Sequence, residues 1–317
     1  MRPSSLDTSV SKTVIFIGLA PLMPSSLEHS SCAEGMASSA AQLTWMVMYE
    51  AYWGLTDKPF ENTPDPRFLF HSEELRDLYT RLLYTLQSRH GAAMLTGDSG
   101  CGKTMVARSL LHELDASRTE IALMSNPCRD GDQFLNEILY QLGDDLPTEP
   151  DRQRTVHRIH EIVYDAHSQG KETIVVVDEA QLLQEDSIFE EMRLLLNLQL
   201  DDAFLITLLL VGQGALGERI RKHGGLDQRI ATRGVVRPFH IEDTRQYIDF
   251  RLTTAGRQEP IFHPEAIDLI HEYTSGVPRK INNICDIALV IGFSRKLDSI
   301  DADWAQRLIE AERGDGS

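Results

Sequence analysis

Apolar residues fall into two kinds of pattern along this chain, and the order in which the two alternate predicts an architecture. Ala92 to Leu95, Ile174 to Val177 and Ala203 to Val211 are apolar runs, the last broken only by Thr207, as expected of strands buried on both faces of a parallel sheet. Glu120 to Met124 and Gly234 to Phe239 read as two further strands. Between them the apolar positions recur at helical spacing. Ser72 is a candidate N-cap, with Glu73 and Glu74 in the first turn and Leu75, Leu78, Leu82 and Leu86 along one face until Gly91; acidic residues there suit the helix dipole. Met105, Val106, Leu110, Leu111 and Leu114 mark a second helix, and Asp132 to Leu142 a third. Val156, Ile159, Val163 and Ala166 mark a fourth, ended by Gly170, and Ile188 to Leu200 a fifth.

From Ile241 the strand pattern disappears. Asp243 to Ala255, Pro264 to Ser275, Pro278 to Phe293 and Ala302 to Glu312 read as four helices, two of which start on proline. The fold class is therefore α/β: a parallel five-stranded sheet sandwiched by helices, followed by a small all-helical domain. The expected divisions are 1–47, 48–91, 92–240 for the α/β core, 241–313 for the helical domain, and a tail at 314–317.

The chemistry lies where strands end. Gly97-Asp98-Ser99-Gly100-Cys101-Gly102-Lys103-Thr104 joins the first apolar run to a helix. In such a loop glycines let successive backbone N–H groups face a nucleotide phosphate, and the helix N-terminus adds its positive dipole end. Gly97 through Met105 is thus the candidate phosphate cradle, with Lys103 on the β- and γ-phosphates and the Thr104 hydroxyl on Mg²⁺. The run Ile174 to Val177 ends in Asp178 and Glu179. Two acids at the end of a buried strand are costly unless they serve a cation or a water; Asp178 fits the Mg²⁺ shell and Glu179 the group that polarises the attacking water. Gln213 follows the third buried run, where open α/β sheets place their ligand, and is a candidate for sensing the γ-phosphate. Arg279, in Gly276-Val277-Pro278-Arg279, starts a helix from which it could reach back to the same phosphate.

Ahead of the core, Tyr52-Trp53-Gly54-Leu55, Lys58-Pro59-Phe60 and Pro64-Asp65-Pro66-Arg67-Phe68-Leu69-Phe70 form a lead of aromatics and proline turns that packs onto a larger body; in an ATPase such a segment covers the adenine. Residues 1–47 are Ser- and Ala-rich with little periodicity and are read as a disordered extension or as sequence upstream of a mis-assigned start. Val14 to Met23 is too short to span a bilayer, and reading it as a signal-peptide core conflicts with a phosphate loop that needs ATP.

Composition changes the picture in two places. The 317 residues carry a formal net charge of −17, which argues against a nucleic-acid footprint over the whole surface. Residues 215–237 run the other way, with Arg219, Arg221, Lys222, Arg229, Arg233 and Arg237 against Glu218 and Asp227. That stretch is either a solvated basic face or the source of an arginine, Arg229 first, that enters the nucleotide site of a neighbouring copy. Cys32, Cys101, Cys128 and Cys285 show no C-x-x-C spacing, as in a reduced, cytosolic chain.

From about Met48 to Glu312 the sequence resembles the AAA+ ATPases of the general secretion pathway protein A type, relatives of origin-recognition and transposon target-selection ATPases. The matching pieces are the lead motifs above, Leu95-Thr96-Gly97 into the phosphate loop, Asp178-Glu179-Ala180-Gln181, Leu194-Leu195-Leu196-Asn197-Leu198, Val211-Gly212-Gln213, Gln228-Arg229-Ile230 and Gly276-Val277-Pro278-Arg279 with Ile281-Asn282. The resemblance implies that Lys103 and Thr104 are the Walker A pair, Asp178 and Glu179 Walker B, Gln213 sensor 1, Arg279 sensor 2, and Arg229 the finger, with Arg233 the competing choice four residues on, on the same helical face or turn. Two positions depart from the pattern. Cys101 replaces the usual Thr, at a position that contributes mainly backbone, and Gly214-Ala215 replaces Pro-Glu after the sensor glutamine.

The resemblance implies Mg-dependent ATP binding and hydrolysis by a homo-oligomer that drives or gates a partner assembly, foremost a secretion or envelope-associated system. The alternative is an ATP-gated DNA-binding or transposase-recruiting switch, and a third class is a scaffold ATPase working through a membrane partner. The expected cofactors are ATP and Mg²⁺. The expected place is the cytoplasm, with a partner making any link to the inner membrane. Envelope members of the family carry a membrane span and a peptidoglycan-binding domain after the lid; the sequence to Ser317 has neither, so cell-wall remodelling is not implied by these residues.

Overall fold

The computed structural model describes residues 49–126, 128–144, 151–200 and 203–314. The expectations for residues 1–47 and 315–317 lie outside them. Five parallel strands, β1 (Ala92–Gly97), β2 (Thr119–Met124), β3 (Glu172–Val177), β4 (Ile206–Gly212) and β5 (Ile230–Val236), form one sheet in the order β2-β3-β4-β1-β5. The three apolar runs supply its inner strands, because only there must every side chain avoid water. Successive side chains alternate between faces. Met94, Val175, Val177, Leu208 and Leu210 pack one way, and Leu95, Ile174, Val176, Leu209 and Val211 the other.

Helices α1 (Glu73–Gln87) and α2 (Lys103–Glu113) cover the second face, while α3 (Gly131–Gln141), α4 (Arg152–Ser168), α5 (Asp186–Leu195), α6 (Ala215–Lys222) and the single turn α7 (Gly224–Asp227) contribute to the first. Side-chain caps fix where several begin. Ser72 Oγ accepts from Leu75 N at 3.3 Å and Asp130 Oδ1 from Gln133 N at 2.8 Å, each satisfying a backbone donor that the first turn leaves free.

Three expectations about elements need correction. The helix read as Ile188 to Leu200 stops at Leu195, and Gln199–Leu200 instead pairs antiparallel with Ala203–Phe204. The apolar run from Ala203 is therefore divided, Leu205 N turning back to donate to Leu198 O at 2.8 Å before β4 begins. The fifth strand is Ile230–Val236 rather than Gly234 to Phe239. It is an edge strand whose Ala231, Arg233 and Val235 are exposed, so its pattern is broken by charge where an inner strand would be apolar.

The helical domain comprises α8 (Ile241–Thr254), α9 (Pro264–Thr274), α10 (Pro278–Arg295) and α11 (Ala302–Gly314). The lead is built into its core. Trp53, Leu55, Phe60 and Phe68 are buried among Ile248, Leu252, Ile284 and Leu289; the Trp53 indole donates to Leu289 O at 2.9 Å and the Tyr52 hydroxyl to Leu297 O at 2.8 Å. Arg251 is only 2% exposed, and its guanidinium is satisfied by the carbonyls of Pro59 and Glu61 and lies 4.5 Å over the Phe68 ring. Burial pulls that guanidinium below its ordinary value, a cost that carbonyl and ring contacts offset. Among the described residues no helix is long and apolar enough to cross a membrane.

Candidate nucleotide site

The phosphate loop leaves the buried strand β1 and ends on α2. Gly100 and Gly102 have φ of +83° and +93°, a region that costs a side chain-bearing residue strain. Those two turns aim the loop backbone at the start of α2, whose first residues are Lys103 and Thr104. Lys103 is 7% exposed, and its ammonium donates to Asp98 O at 2.9 Å. A buried ammonium with three donors and one such acceptor suits an anionic ligand. Cys101 is buried behind the loop, and that burial, with Asp98 adding to it, pushes its thiol up; it is a neutral, small apolar filler there.

The two sequence motifs meet. Thr104 Oγ1 donates to Asp178 Oδ2 at 2.9 Å. Asp178 is in turn held at both ends, its N–H donating to Met124 O at 2.9 Å and its Oδ1 accepting from Glu179 N at 2.8 Å. Glu179 stands in the left-handed region at φ +51°, a conformation a non-glycine residue keeps only where its surroundings impose it. Among the described residues no cluster of three or more His, Cys, Asp or Glu would hold a metal by itself. A hydroxyl beside one carboxylate is instead the donor set of a Mg²⁺ that takes its other oxygens from water and phosphate, and Thr104 with Asp178 fits that description.

A cavity of about 330 Å³ opens in front of these groups. Ser99 to Val106, Glu179 and Gln213 line it from the core, Arg279 and Asn282 from α10, Tyr247 and Arg251 from α8, and Glu61 to Pro64 with Phe68 to Phe70 from the lead. Phe70, Phe239 and Tyr247 make an aromatic wall, with ring centroids 4.9 to 6.0 Å apart. Arg279 N donates to Gly100 O at 3.2 Å, which fastens the start of α10 to the loop, and Arg279 lines the cavity.

Arg229 is elsewhere. Its carbonyl accepts from Ala92 N at 3.1 Å, at the end of β1 opposite the phosphate loop and roughly 16 Å of strand away. Its guanidinium donates to Gly225 O at 2.8 Å and to Asn197 Oδ1. Contrary to the reading from sequence, Arg233 shares no helical face or turn with it; it lies in β5 and pairs with Asp227 at 2.8 Å. Two more residues of the basic stretch are engaged within the chain: Arg219 donates to the carbonyls of Gln181, Leu183 and Gln184, and Arg237 reaches Glu74 at 3.7 Å.

One residue at the site was not singled out from sequence. Gln181 donates from Nε2 to Glu179 Oε2 at 2.5 Å and accepts at Oε1 from Gln213 N at 2.9 Å. Only its place in the motif Asp178-Glu179-Ala180-Gln181 could have drawn attention to it.

The AAA domain family model matches residues 84–220, a span that holds the phosphate loop, the acid pair and Gln213. Sheet order, phosphate loop and that match together give residues 84–220 the fold of an AAA domain with a P-loop. The chain is similar to general secretion pathway protein A of Aeromonas hydrophila, with 36% identity over 254 residues, covering 78% of this chain and 45% of that one. It thus spans a little under half the length of that curated relative. Solved structures with the same fold include the ORC2 protein of Aeropyrum pernix in its ADPNP–ADP complexes, with a TM-score of 0.58 at 16% identity over 80% of this chain and 71% of that one. Cdc6p of Pyrobaculum aerophilum aligns with a TM-score of 0.59 at 18% identity, over 78% of this chain and 68% of that one.

Proposed function

We propose that this chain hydrolyses ATP in a Mg²⁺-dependent reaction, completed between copies of itself, that drives or gates a partner assembly of a secretion or envelope-associated system. The observation that carries the reading is the 2.9 Å contact of Thr104 with Asp178, beside a buried ammonium and at the mouth of a cavity that Glu179, Gln213 and Arg279 also line. In this reading the loop from Gly97 to Met105 binds the phosphates, with Lys103 on the β- and γ-phosphates. Thr104 and Asp178 hold Mg²⁺, which when bound neutralises phosphate charge. Glu179 orients a water and accepts its proton as it attacks the γ-phosphorus in line with the departing ADP oxygen, and Gln213 fixes the same water. Arg279 reports the γ-phosphate to the helical domain. The domain limits 92–240 and 241–313 describe the two walls that close on the nucleotide.

Arg229 cannot serve its own site from the far end of the sheet, so its role belongs to a neighbour. There its guanidinium would exchange Asn197 and Gly225 for phosphate oxygens. The choice of a secretion or envelope client rests on the 36% identity with general secretion pathway protein A, and with it the proposal of a cytoplasmic protein held at the inner membrane through a partner. The test is phosphate release by the purified full chain. Turnover that needs Mg²⁺, and disappears in Glu179→Gln while ATP still binds, supports the reading; turnover unchanged by Glu179→Gln removes it.

A further inference from the structure

We propose that Gln181 is a positioning residue that aims the Glu179 carboxylate and ties it to the strand end carrying Gln213. This deepens the ATPase reading above and rests on Glu179 being the group that orients water. Gln181 does not line the cavity, whereas Glu179 and Gln213 both do; it stands behind them and touches each. Its amide orientation is fixed by its partners. The backbone N–H of Gln213 can only donate, so the oxygen must face it, which turns the NH₂ group to the carboxylate, an acceptor. Both contacts, at 2.9 and 2.5 Å, are then satisfied by one orientation.

Two further features build the position. A Cβ on Gly212 would stand 2.8 Å from Gln181 Oε1 and 3.2 Å from Gln181 N, so glycine at that strand end is the space in which the amide sits. Arg219, from the helix after Gln213, donates to the carbonyls of Gln181, Leu183 and Gln184, which pins the backbone that carries the amide. Glu179, held at φ +51° and lining the cavity, has its Oε2 occupied by Gln181. That contact restrains the carboxylate, and a shift of the β4 end is passed to it through a single side chain. Partners of this kind, behind a reacting group, commonly change activity by 10- to 100-fold when removed.

The experiment compares Gln181→Ala and Gln181→Glu in the full chain, reading kcat, the dissociation constant for a non-hydrolysable ATP analogue, and the thermal midpoint. Gln181→Glu keeps the length and the acceptor for Gln213 N–H but replaces the donor facing Glu179 with a second carboxylate. Both variants are expected to lose kcat by about 10-fold or more, with analogue affinity within about two-fold and the Gln181→Glu midpoint close to wild type. In a Glu179→Asp background, whose shortened carboxylate no longer reaches the amide, Gln181→Ala is expected to change kcat less than two-fold. Wild-type kcat in Gln181→Glu, or an undiminished effect of Gln181→Ala in the Glu179→Asp background, would overturn the proposal. Either result with an inactive Glu179→Gln leaves the ATPase reading intact, whereas an active Glu179→Gln removes the reading itself.

Discussion

The hydroxyl of Thr104 and the carboxylate of Asp178 are 2.9 Å apart although 74 positions separate them in the chain. Thr104 starts the helix after β1 and Asp178 follows β3, and β4 lies between those strands in the sheet. The contact exists because parallel strands deliver their C-terminal ends to one edge, where a ligand finds loops rather than side-chain layers. Truncating the hydroxyl should weaken Mg²⁺ more than nucleotide. Thr104→Ala is expected to raise the Mg²⁺ concentration for half-maximal turnover by about 10-fold or more, measured by titrating Mg²⁺ at fixed ATP, and chelation should abolish turnover in wild type.

Lys103 is nearly buried and has one carbonyl partner within the chain. Lys103→Ala should therefore lose ATP affinity by at least about 100-fold, which one charge-assisted contact of about 3 kcal/mol provides. Folding should suffer little, because the ammonium is costly to hold in the empty site. Calorimetric titration with Mg-ATP, set beside the urea midpoint, checks both halves.

A finger that works across copies makes two inactive variants complement each other. Arg229→Ala alone should lose turnover by about 1000-fold, and so should Lys103→Ala. Mixed, the second supplies a finger to the first, and activity should return; wild-type specific activity should fall on dilution. Specific activity that does not change with concentration would rule out the trans site.

The lead should behave as part of the helical domain's core. Trp53 is 2% exposed and hydrogen-bonded to Leu289 O, so Trp53→Ala is expected to cost about 3–5 kcal/mol of stability. Chemical denaturation followed by far-UV circular dichroism measures it.

Acid should weaken the fold through two imidazoles. Burial lowers His71, with Glu113 opposing and Arg76 assisting, and burial lowers His160, with His157 assisting. Both therefore bind protons less readily folded than unfolded. Their contribution is present above the unfolded value of about 6.5 and is lost as pH falls below it. The urea midpoint should drop between pH 7.5 and 5.5, and the double variant His71→Gln, His160→Gln should flatten that drop.

The inner strands are legible because burial on both faces leaves almost no polar position, Thr96, Thr173 and Thr207 apart, and the contact of the phosphate loop with the acid pair follows once those strands are parallel. The sequence pattern starts the edge strand four residues late because Arg233 and exposed Ala231 read as loop. The helix read to Leu200 ran long because Leu196 and Leu198 continue its apolar spacing; the structure uses Leu198 O for a turn instead. Aromatics in the lead announced packing, but nothing local in Trp53 or Phe60 says that their partners are α8 and α10, some 200 residues on. Gln181 is not legible in the sequence because a neutral amide carries no charge signal and acquires its meaning only from the Gln213 N–H and Glu179 carboxylate on either side.

The most direct test is a single-turnover assay of Glu179→Gln with γ-labelled ATP and Mg²⁺ at saturating protein. ATP should bind and remain intact, with label released at least about 100-fold more slowly than by wild type. Release at the wild-type rate would contradict the assignment of the water-orienting role to the acid at the end of β3.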